Sequence, residues 1–317
     1  KIKLGEKYMK VSVVMATYNG EKYIKEQLDS ICNQTYQIDE IIICDDKSTD
    51  NTVELIENYI LSNSFQNLIK LYKNDVNLGY ADNFNQVIGL AEGEYIFFSD
   101  QDDIWVTDKI QKMVDIMEKN PDCALLCSDY EPFIYGEGAP EIPKKLKERK
   151  ANTGNIERIN VSIENIELRT LGCCMCLRRE FRDLTREYWF SGWAQDDRCW
   201  KLAQCVNRCL YVHCDLVKHR IHSNNTATYG KYHTVKKRVE LFDAKYKAAE
   251  QMLRMAQKNL IDSDRITIIE KNKQMMKLRI ELMRDRKLLN AVKLLFYLRY
   301  FQSKKSIVLE VLIALKG

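Results

Sequence analysis

At 317 residues, 45% hydrophobic and 30% charged, the chain has enough apolar side chains to bury a full core, which excludes a disordered or low-complexity polypeptide and leaves one large globular domain with an appendage. The net charge of +4 is unevenly spread: residues 230–317 hold 21 Lys/Arg against 9 Asp/Glu, so this end carries +12 and residues 1–229 carry −8. No apolar run reaches the roughly 18 residues that a membrane-spanning helix requires, and no nucleic-acid-binding motif occurs, so neither a spanning segment nor a nucleic-acid partner is expected.

Residues 1–8 precede Met9 and are set aside as an upstream leader or vector-derived remnant. From there short apolar runs alternate with amphipathic stretches: a strand at 11–16, a helix over 21–33, a strand at 40–44, a helix over 51–61, a strand at 68–72, a helix over 80–91, a strand at 95–99, a helix over 106–119 and a strand at 123–128. This alternation predicts an α/β fold with a mostly parallel sheet covered by helices, and it places ligands at the carboxyl ends of the strands. Residues 131–160 carry Pro132, Gly136, Gly138, Pro140 and Pro143 and a basic run over 144–150, and read as a long excursion able to cover a site. A strand at 173–177, a helix over 196–206 and short strands at 209–212 and 216–220 follow, and almost everything after 229 is helical. The expected boundary therefore separates 9–229 from a basic helical region at 230–317.

Eleven cysteines are an odd number, no secretory signal peptide is read, and Cys32, Cys44 and Cys127 sit in apolar runs, so reduced thiols and a cytoplasmic location are expected. Cys173, Cys174 and Cys176 lack a CxxC pair, and Cys205, Cys209 and Cys214 with His213 lack zinc spacing.

The richest chemistry lies in Ser99-Asp100-Gln101-Asp102-Asp103, three carboxylates delivered by the apolar run 95–98. Carboxylates this close repel unless a cation shares them, and Mg²⁺ or Mn²⁺ accepts one or two together with substrate phosphates. The alternative is a solvated acidic turn capping the helix near 106. No GxGxxG follows the first strand, where the sequence is Ala16-Thr17-Tyr18-Asn19-Gly20, which argues against a dinucleotide-binding domain.

Five segments, 12–20 (SVVMATYNG), 45–50 (DDKSTD), 77–79 (NLG), 99–105 (SDQDDIW) and 195–197 (QDD), occur in an order that resembles family 2 inverting glycosyltransferases of the GT-A fold. The wording SDQDDIW and the later Arg220-Ile221-His222-Ser223-Asn224-Asn225 resemble most the rhamnosyltransferase-like branch that builds bacterial surface polysaccharides. The resemblance implies that Ala16, Thr17, Tyr18, Asn77, Gly79 and Gln101 line a nucleotide pocket, and that Asp46 accepts the ring N–H of uracil or thymine unless it only shapes a turn. It places Asp100 near the ribose and gives the metal, Mn²⁺ or Mg²⁺, to Asp102 with His222, and the diphosphate to Arg220. Inverting transfer needs a general base at a helix start, for which Asp196 and Asp197 are rivals; acids also favour a first helical turn without any catalytic role. Trp193, with Trp189, is either an acceptor-sugar platform or core packing, and Trp105 reads as core.

The implied activity moves a sugar, rhamnose first, from a UDP- or dTDP-sugar to a saccharide or lipid-linked acceptor. A nucleotidyltransferase, which would show a Gly-rich basic phosphate loop after the first strand, and a non-catalytic sugar-binding relative, which would show a broken site, are the rivals. The basic C-terminal helices either pack on the first domain, form a homo-oligomer, or lie on the inner face of an anionic membrane.

Overall fold

The computed structural model describes residues 9–148, 152–223, 234–301 and 305–316; the leader at 1–8, the end of the basic run at 149–150 and Asn224-Asn225 lie outside them. In chain order the first unit contains β1 (Val11–Thr17), α1 (Ile24–Cys32), β2 (Glu40–Asp45), α2 (Thr52–Ser62), β3 (Ile69–Lys73), α3 (Tyr80–Leu90), β4 (Tyr95–Ser99), β5 (Ile104–Trp105), α4 (Lys109–Lys119) and β6 (Leu125–Ile134). It continues through α5 (Lys144–Lys147), β7 (Ile156–Ile159), β8 (Met175–Arg178), α6 (Arg179–Thr185), α7 (Gln195–Gln204) and β9 (Cys209–Ile221).

β2 and β4 are buried on both faces along their whole length, and β1 in all but Ala16, as the continuous apolar runs Ile41–Cys44, Tyr95–Phe98 and Val13–Ala16 require of inner parallel strands. The sheet order is β3-β2-β1-β4-β8-β6-β9-β5, with β7 on β9. β3, β2, β1 and β4 are parallel, and their register aligns Thr17 with Asp45 and Met15 with Ser99, so β1, β2 and β4 end side by side. The mostly parallel α/β expectation therefore holds, with β8 running antiparallel between β4 and β6.

Several boundaries differ from the sequence reading for one reason, the long strand β9. The two short strands expected at 209–212 and 216–220 are a single strand, and its far end pairs Lys218 with Ile104 and Val217 with Trp105. Those pairings draw 104–105 into β5, so α4 starts at Lys109 rather than 106. The strand expected at 123–128 runs on to Ile134 because β9 supplies partners as far as Ile221, with register shifts around Asp129. Gly172–Cys174 form a 3₁₀ turn ahead of β8. All eleven cysteines are free.

The second unit contains α8 (Val235–Lys258), α9 (Ser263–Arg284), α10 (Leu289–Leu294), a 3₁₀ segment (Leu295–Tyr300) and α11 (Lys305–Lys316). Residues 160–167 and 204–207 belong to this unit as well, so the single boundary expected at 229/230 is replaced by a division at 223/224 with two insertions. Its core packs Phe242, Met275, Met276, Leu282, Leu294 and Ile307. Glu310, buried within α11, is held by Arg279, whose Nε donates to Oε2 at 3.1 Å, and lies 3.5 Å from Arg238. No helix of the described residues is long and apolar enough to cross a membrane.

Candidate active site

The loop after β1 is held at both ends by side chains. Gln101 Oε1 accepts from Tyr18 N at 2.9 Å while its Nε2 donates to Tyr18 O at 3.0 Å, a reciprocal pair that ties the acidic loop to the end of β1. A Cβ at Gly20 would lie 2.4 Å from Gln101 Oε1, so the closeness of this clamp depends on the glycine. Tyr18 leaves its ring 47% exposed. Thr17, expected to line the pocket, is buried instead: its hydroxyl donates to Asp45 Oδ2 at 2.9 Å and organises the ends of β1 and β2. Ala16 sits beside it in β1, opposite Cys44. Lys47 takes the left-handed backbone (φ +64°) at a cost of roughly 1 kcal/mol relative to glycine.

Asp46 is buried, and its oxygens accept from Asn74 Nδ2 at 2.9 Å, Leu78 N at 2.8 Å and Gly79 N at 2.8 Å. Asn77 Nδ2 donates to Asp46 O at 2.9 Å. The segment 77–79 is thus built around Asp46, and Gly79, with φ +81°, turns the chain into α3.

At the end of β4 the carboxylates divide. Asp103 is fully buried and its Oδ1 accepts from His219 Nδ1 at 2.8 Å and Arg220 N at 3.0 Å. Burial opposes the ionisation of Asp103, yet the bond to and charge of His219 outweigh it and hold the carboxyl below its usual range. Burial likewise opposes the charge on His219, and Asp103 overrides it, raising the imidazole to about 9; the two form an internal ion pair. With Cys173 they make a cluster of three donor types within 4.8 Å, in which Asp103 and His219 pair through Oδ1 and carry the end of β9 onto the acidic loop.

Asp102 and His222, expected together, are together: Oδ2 and Nε2 are 2.9 Å apart, and the imidazole packs on Tyr23 with centroids 4.7 Å apart. Carboxylate and imidazole form a donor set that suits Mn²⁺ better than Mg²⁺, which prefers oxygen, so the pair fits a divalent ion of the transition series. Arg220, expected at the diphosphate, is placed differently. It is 2% exposed, its Nε donates to Asp102 O at 2.8 Å, it pairs with Glu26, and rings of Tyr23, Phe133 and Tyr135 enclose the guanidinium at 5.1, 4.8 and 4.7 Å. Its role here is to hold the Asp102 backbone. Burial, then the charges of Asp103 and Asp102, push the Asp100 carboxyl well above its ordinary range, and Asp196 adds to the effect.

The first turn of α7 separates the two rivals for the base. Asp197 accepts from Trp193 Nε1 at 2.8 Å and pairs with the buried Lys201. Asp196 accepts from the Asp197 amide at 2.7 Å on Oδ1, and burial followed by the charge of Asp197 raises its carboxyl to about 6. Trp193, offered as an acceptor platform, is 3% exposed, stacks on Phe190 at 4.9 Å and serves Asp197. α3 fixes this turn: Asp82 accepts from Gly192 N at 2.8 Å and Asn85 from Arg198 at 2.8 Å. Gly172 backs Asp196, whose Cβ would lie 3.4 Å from an added methyl, and Lys109 Nζ donates to Cys173 O at 2.5 Å behind it. The sequence reading missed Glu26, Tyr23, Lys109 and Gly172, none of which lies in a motif; their partners are distant in sequence, Glu26 and Arg220 by 194 positions.

The sequence matches the profile "Glycosyl transferase family 2" over residues 12–185. Among curated relatives it is 35% identical over 121 residues to the UDP-Glc:alpha-D-GlcNAc-diphosphoundecaprenol beta-1,3-glucosyltransferase WfgD of Escherichia coli, covering 38% of this chain and 46% of that one. It is 44% identical over 110 residues to the dTDP-rhamnosyl transferase RfbG of Shigella flexneri, covering 33% and 37%. The matched stretch is thus less than half the length of these relatives. In fold it is similar to S. aureus TarS 1–349 in complex with UDP-GlcNAc (TM-score 0.63, 17% identity, 96% of this chain and 82% of that one). It is also similar to the mannosyltransferase PcManGT of Pyrobaculum calidifontis in complex with GDP-Man and Mn²⁺ (TM-score 0.56, 15% identity, 98% and 87%). At those identities the likeness establishes the GT-A architecture alone. The profile spans more than half of the chain and includes the acidic loop and strands β1 to β8, so the chain belongs to glycosyl transferase family 2.

Proposed function

We propose that the chain transfers a sugar, rhamnose in the first instance, from a UDP- or dTDP-sugar to a hydroxyl of a saccharide or lipid-linked saccharide, with inversion, in building a bacterial surface polysaccharide. The observation that carries this reading is the meeting of Asp100 and Asp102 at the end of β4 with a half-buried, raised carboxyl, Asp196, near enough to act on Asp100 electrostatically. Relatives named for UDP-glucose, dTDP-rhamnose and a diphosphoundecaprenol acceptor support the donor and acceptor classes.

Ala16, the exposed ring of Tyr18, Asn77 and Gly79 flank the base, with Asp46 using its remaining lone pair on the ring N–H. Asp100 faces the ribose, and Gln101 keeps the loop closed on Tyr18. Asp102 and His222 would hold the divalent cation, which offsets charge gathering on the leaving diphosphate. Asp196, raised to about 6, is ionised at neutral pH yet basic enough to take the proton of the acceptor hydroxyl. With Oδ1 engaged by the Asp197 amide, Oδ2 receives that proton. The acceptor oxygen then bonds to the anomeric carbon as the bond to the diphosphate breaks on the opposite face, a single displacement that inverts the centre. Asp197, paired with Lys201, positions the helix start. With a lipid-linked acceptor the enzyme works at the cytoplasmic face of the membrane.

The test is calorimetric titration of UDP, dTDP and GDP with and without Mn²⁺, on wild type and Asp102→Asn, followed by turnover of Asp196→Asn. UDP or dTDP is expected to bind with Mn²⁺ and to bind Asp102→Asn weakly, and Asp196→Asn to lose about 10²–10⁴-fold in turnover while keeping donor affinity. A chain that binds no nucleotide in the presence of metal, or an Asp196→Asn variant with full turnover, overturns the reading.

A further inference from the structure

The helical unit carries apolar side chains where water is expected. In the segment formed by α10 and the 3₁₀ turn after it, Asn290, Leu294 and Tyr300 are buried. On the opposite side Leu288, Leu289, Val292, Leu295 and Phe296 stand 44%, 78%, 59%, 53% and 85% exposed. At helical spacing these five fall on one face, a contiguous patch rather than scattered surface residues, and a helix with one side already buried ordinarily turns its polar side outward. The patch is rimmed by cations: Arg284, Arg286, Lys287, Lys293 and Arg299 are exposed, against the single exposed acid Asp285 between 284 and 299. Arg284 pairs with Asp285 at 3.0 Å and Lys287 with Glu281 at 3.3 Å, and Arg299 lies near enough to Glu164 to act on its carboxyl electrostatically; Arg286 and Lys293 add to these, so cations outnumber acids around the apolar strip.

We propose that the strip from Leu288 to Phe296 docks onto an anionic phospholipid surface, with its leucines and phenylalanine among the acyl chains and Arg286, Lys293 and Arg299 at the lipid phosphates. Charge selects this occupant: a second copy placed face to face would bring the two cationic rims together, whereas an anionic bilayer answers both the apolar face and its rim. The inference deepens the lipid-linked acceptor reading, since it places the chain where such an acceptor resides, but its own basis is the surface of the helical unit.

The experiment is flotation of the full chain with vesicles of phosphatidylglycerol and phosphatidylcholine, and of phosphatidylcholine alone. It is repeated on Leu289→Gln/Phe296→Gln and on Arg286→Gln/Lys293→Gln/Arg299→Gln, with UDP titration and thermal melting of each in parallel. Wild type is expected to float with the anionic vesicles and to be released by salt, the apolar variant to lose more than about tenfold in partition, and the charge variant about a hundredfold. Because the substituted side chains are exposed, melting and nucleotide affinity are expected to stay unchanged, so a lipid failure is distinguishable from a donor-site failure. Absence of flotation, equal partition into neutral vesicles, variants that bind like wild type, or a concentration-dependent dimer that the apolar variant disperses each overturns the proposal.

Discussion

Asp196 and Asp197 are neighbours in sequence with opposite surroundings, and the difference makes a pH prediction. Asp197 is ion-paired with Lys201 and hydrogen-bonded by Trp193, whereas Asp196 is raised to about 6 by burial and by the Asp197 charge. A base must be deprotonated to work, so kcat/KM is expected to rise with pH through a midpoint near 6 and then level off. Asp197→Asn removes the charge that raises Asp196 and frees the cation of Lys201, and both changes favour the carboxylate; the midpoint is expected to move to lower pH. An acid limb unmoved in that variant assigns the titration to another group. Lys109 offers a stability counterpart. Fully buried against Trp105, it is lowered by burial from 10.5 to about 8. Between those values the unfolded chain binds more protons than the folded one, so stability contributed at this position rises with pH. Relative to Lys109→Met, wild type is expected to gain up to about 3 kcal/mol between pH 8 and 10.5 in urea melts. A pH-independent difference between the two proteins overturns that expectation.

Elements meet at the site through short loops, and the clamp between Gln101 and Tyr18 is the clearest coupling of two strand ends. Gly20→Ala puts a methyl into Gln101, the flexible end of a side chain, so the fold is expected to lose less than about 1 kcal/mol while the clamp opens. Gly20→Ala and Gln101→Ala are expected to weaken UDP binding by similar factors, with the double variant little worse than either, as calorimetry on the three proteins will measure. Losses that add in full show the two residues acting separately. The strands that carry this loop were legible because β1, β2 and β4 are unbroken apolar runs, and the acidic loop because three carboxylates follow one of them. β5 was not legible, since two residues have no period, and without it the return of β9 that seats His219 and His222 on the loop is invisible. From its place in a late RxH element Arg220 is expected near the diphosphate; its enclosure depends on Glu26 and Tyr23 in α1 and the turn before it, which no local pattern records.

At the scale of the whole molecule the charge asymmetry marked a basic helical region, but not the two segments it captures from the middle of the chain. Residues 160–167 and 204–207 are spliced into the helical unit, where Lys245 Nζ pairs with Glu167 at 2.7 Å, Arg265 pairs with Asn207, and Ile163 packs on the helical core. Such contacts leave no sequence signature, because each segment is too short to show a period and its partners lie tens of residues away. They also make the helices more than a removable tail. Deleting residues 224–317 takes Lys245 from Glu167 and Arg265 from Asn207 and leaves Ile163 in water, and the second of these segments leads directly out of α7. The truncated chain is therefore expected to aggregate, or to melt well below wild type with a broadened transition, and to lose turnover even though every proposed site residue is retained. Size-exclusion chromatography, thermal melting and activity of the 9–223 fragment measure this together. A monodisperse fragment with wild-type melting and turnover would mean that 160–167 and 204–207 need nothing from the helices, and that the chain divides as simply as its charge does.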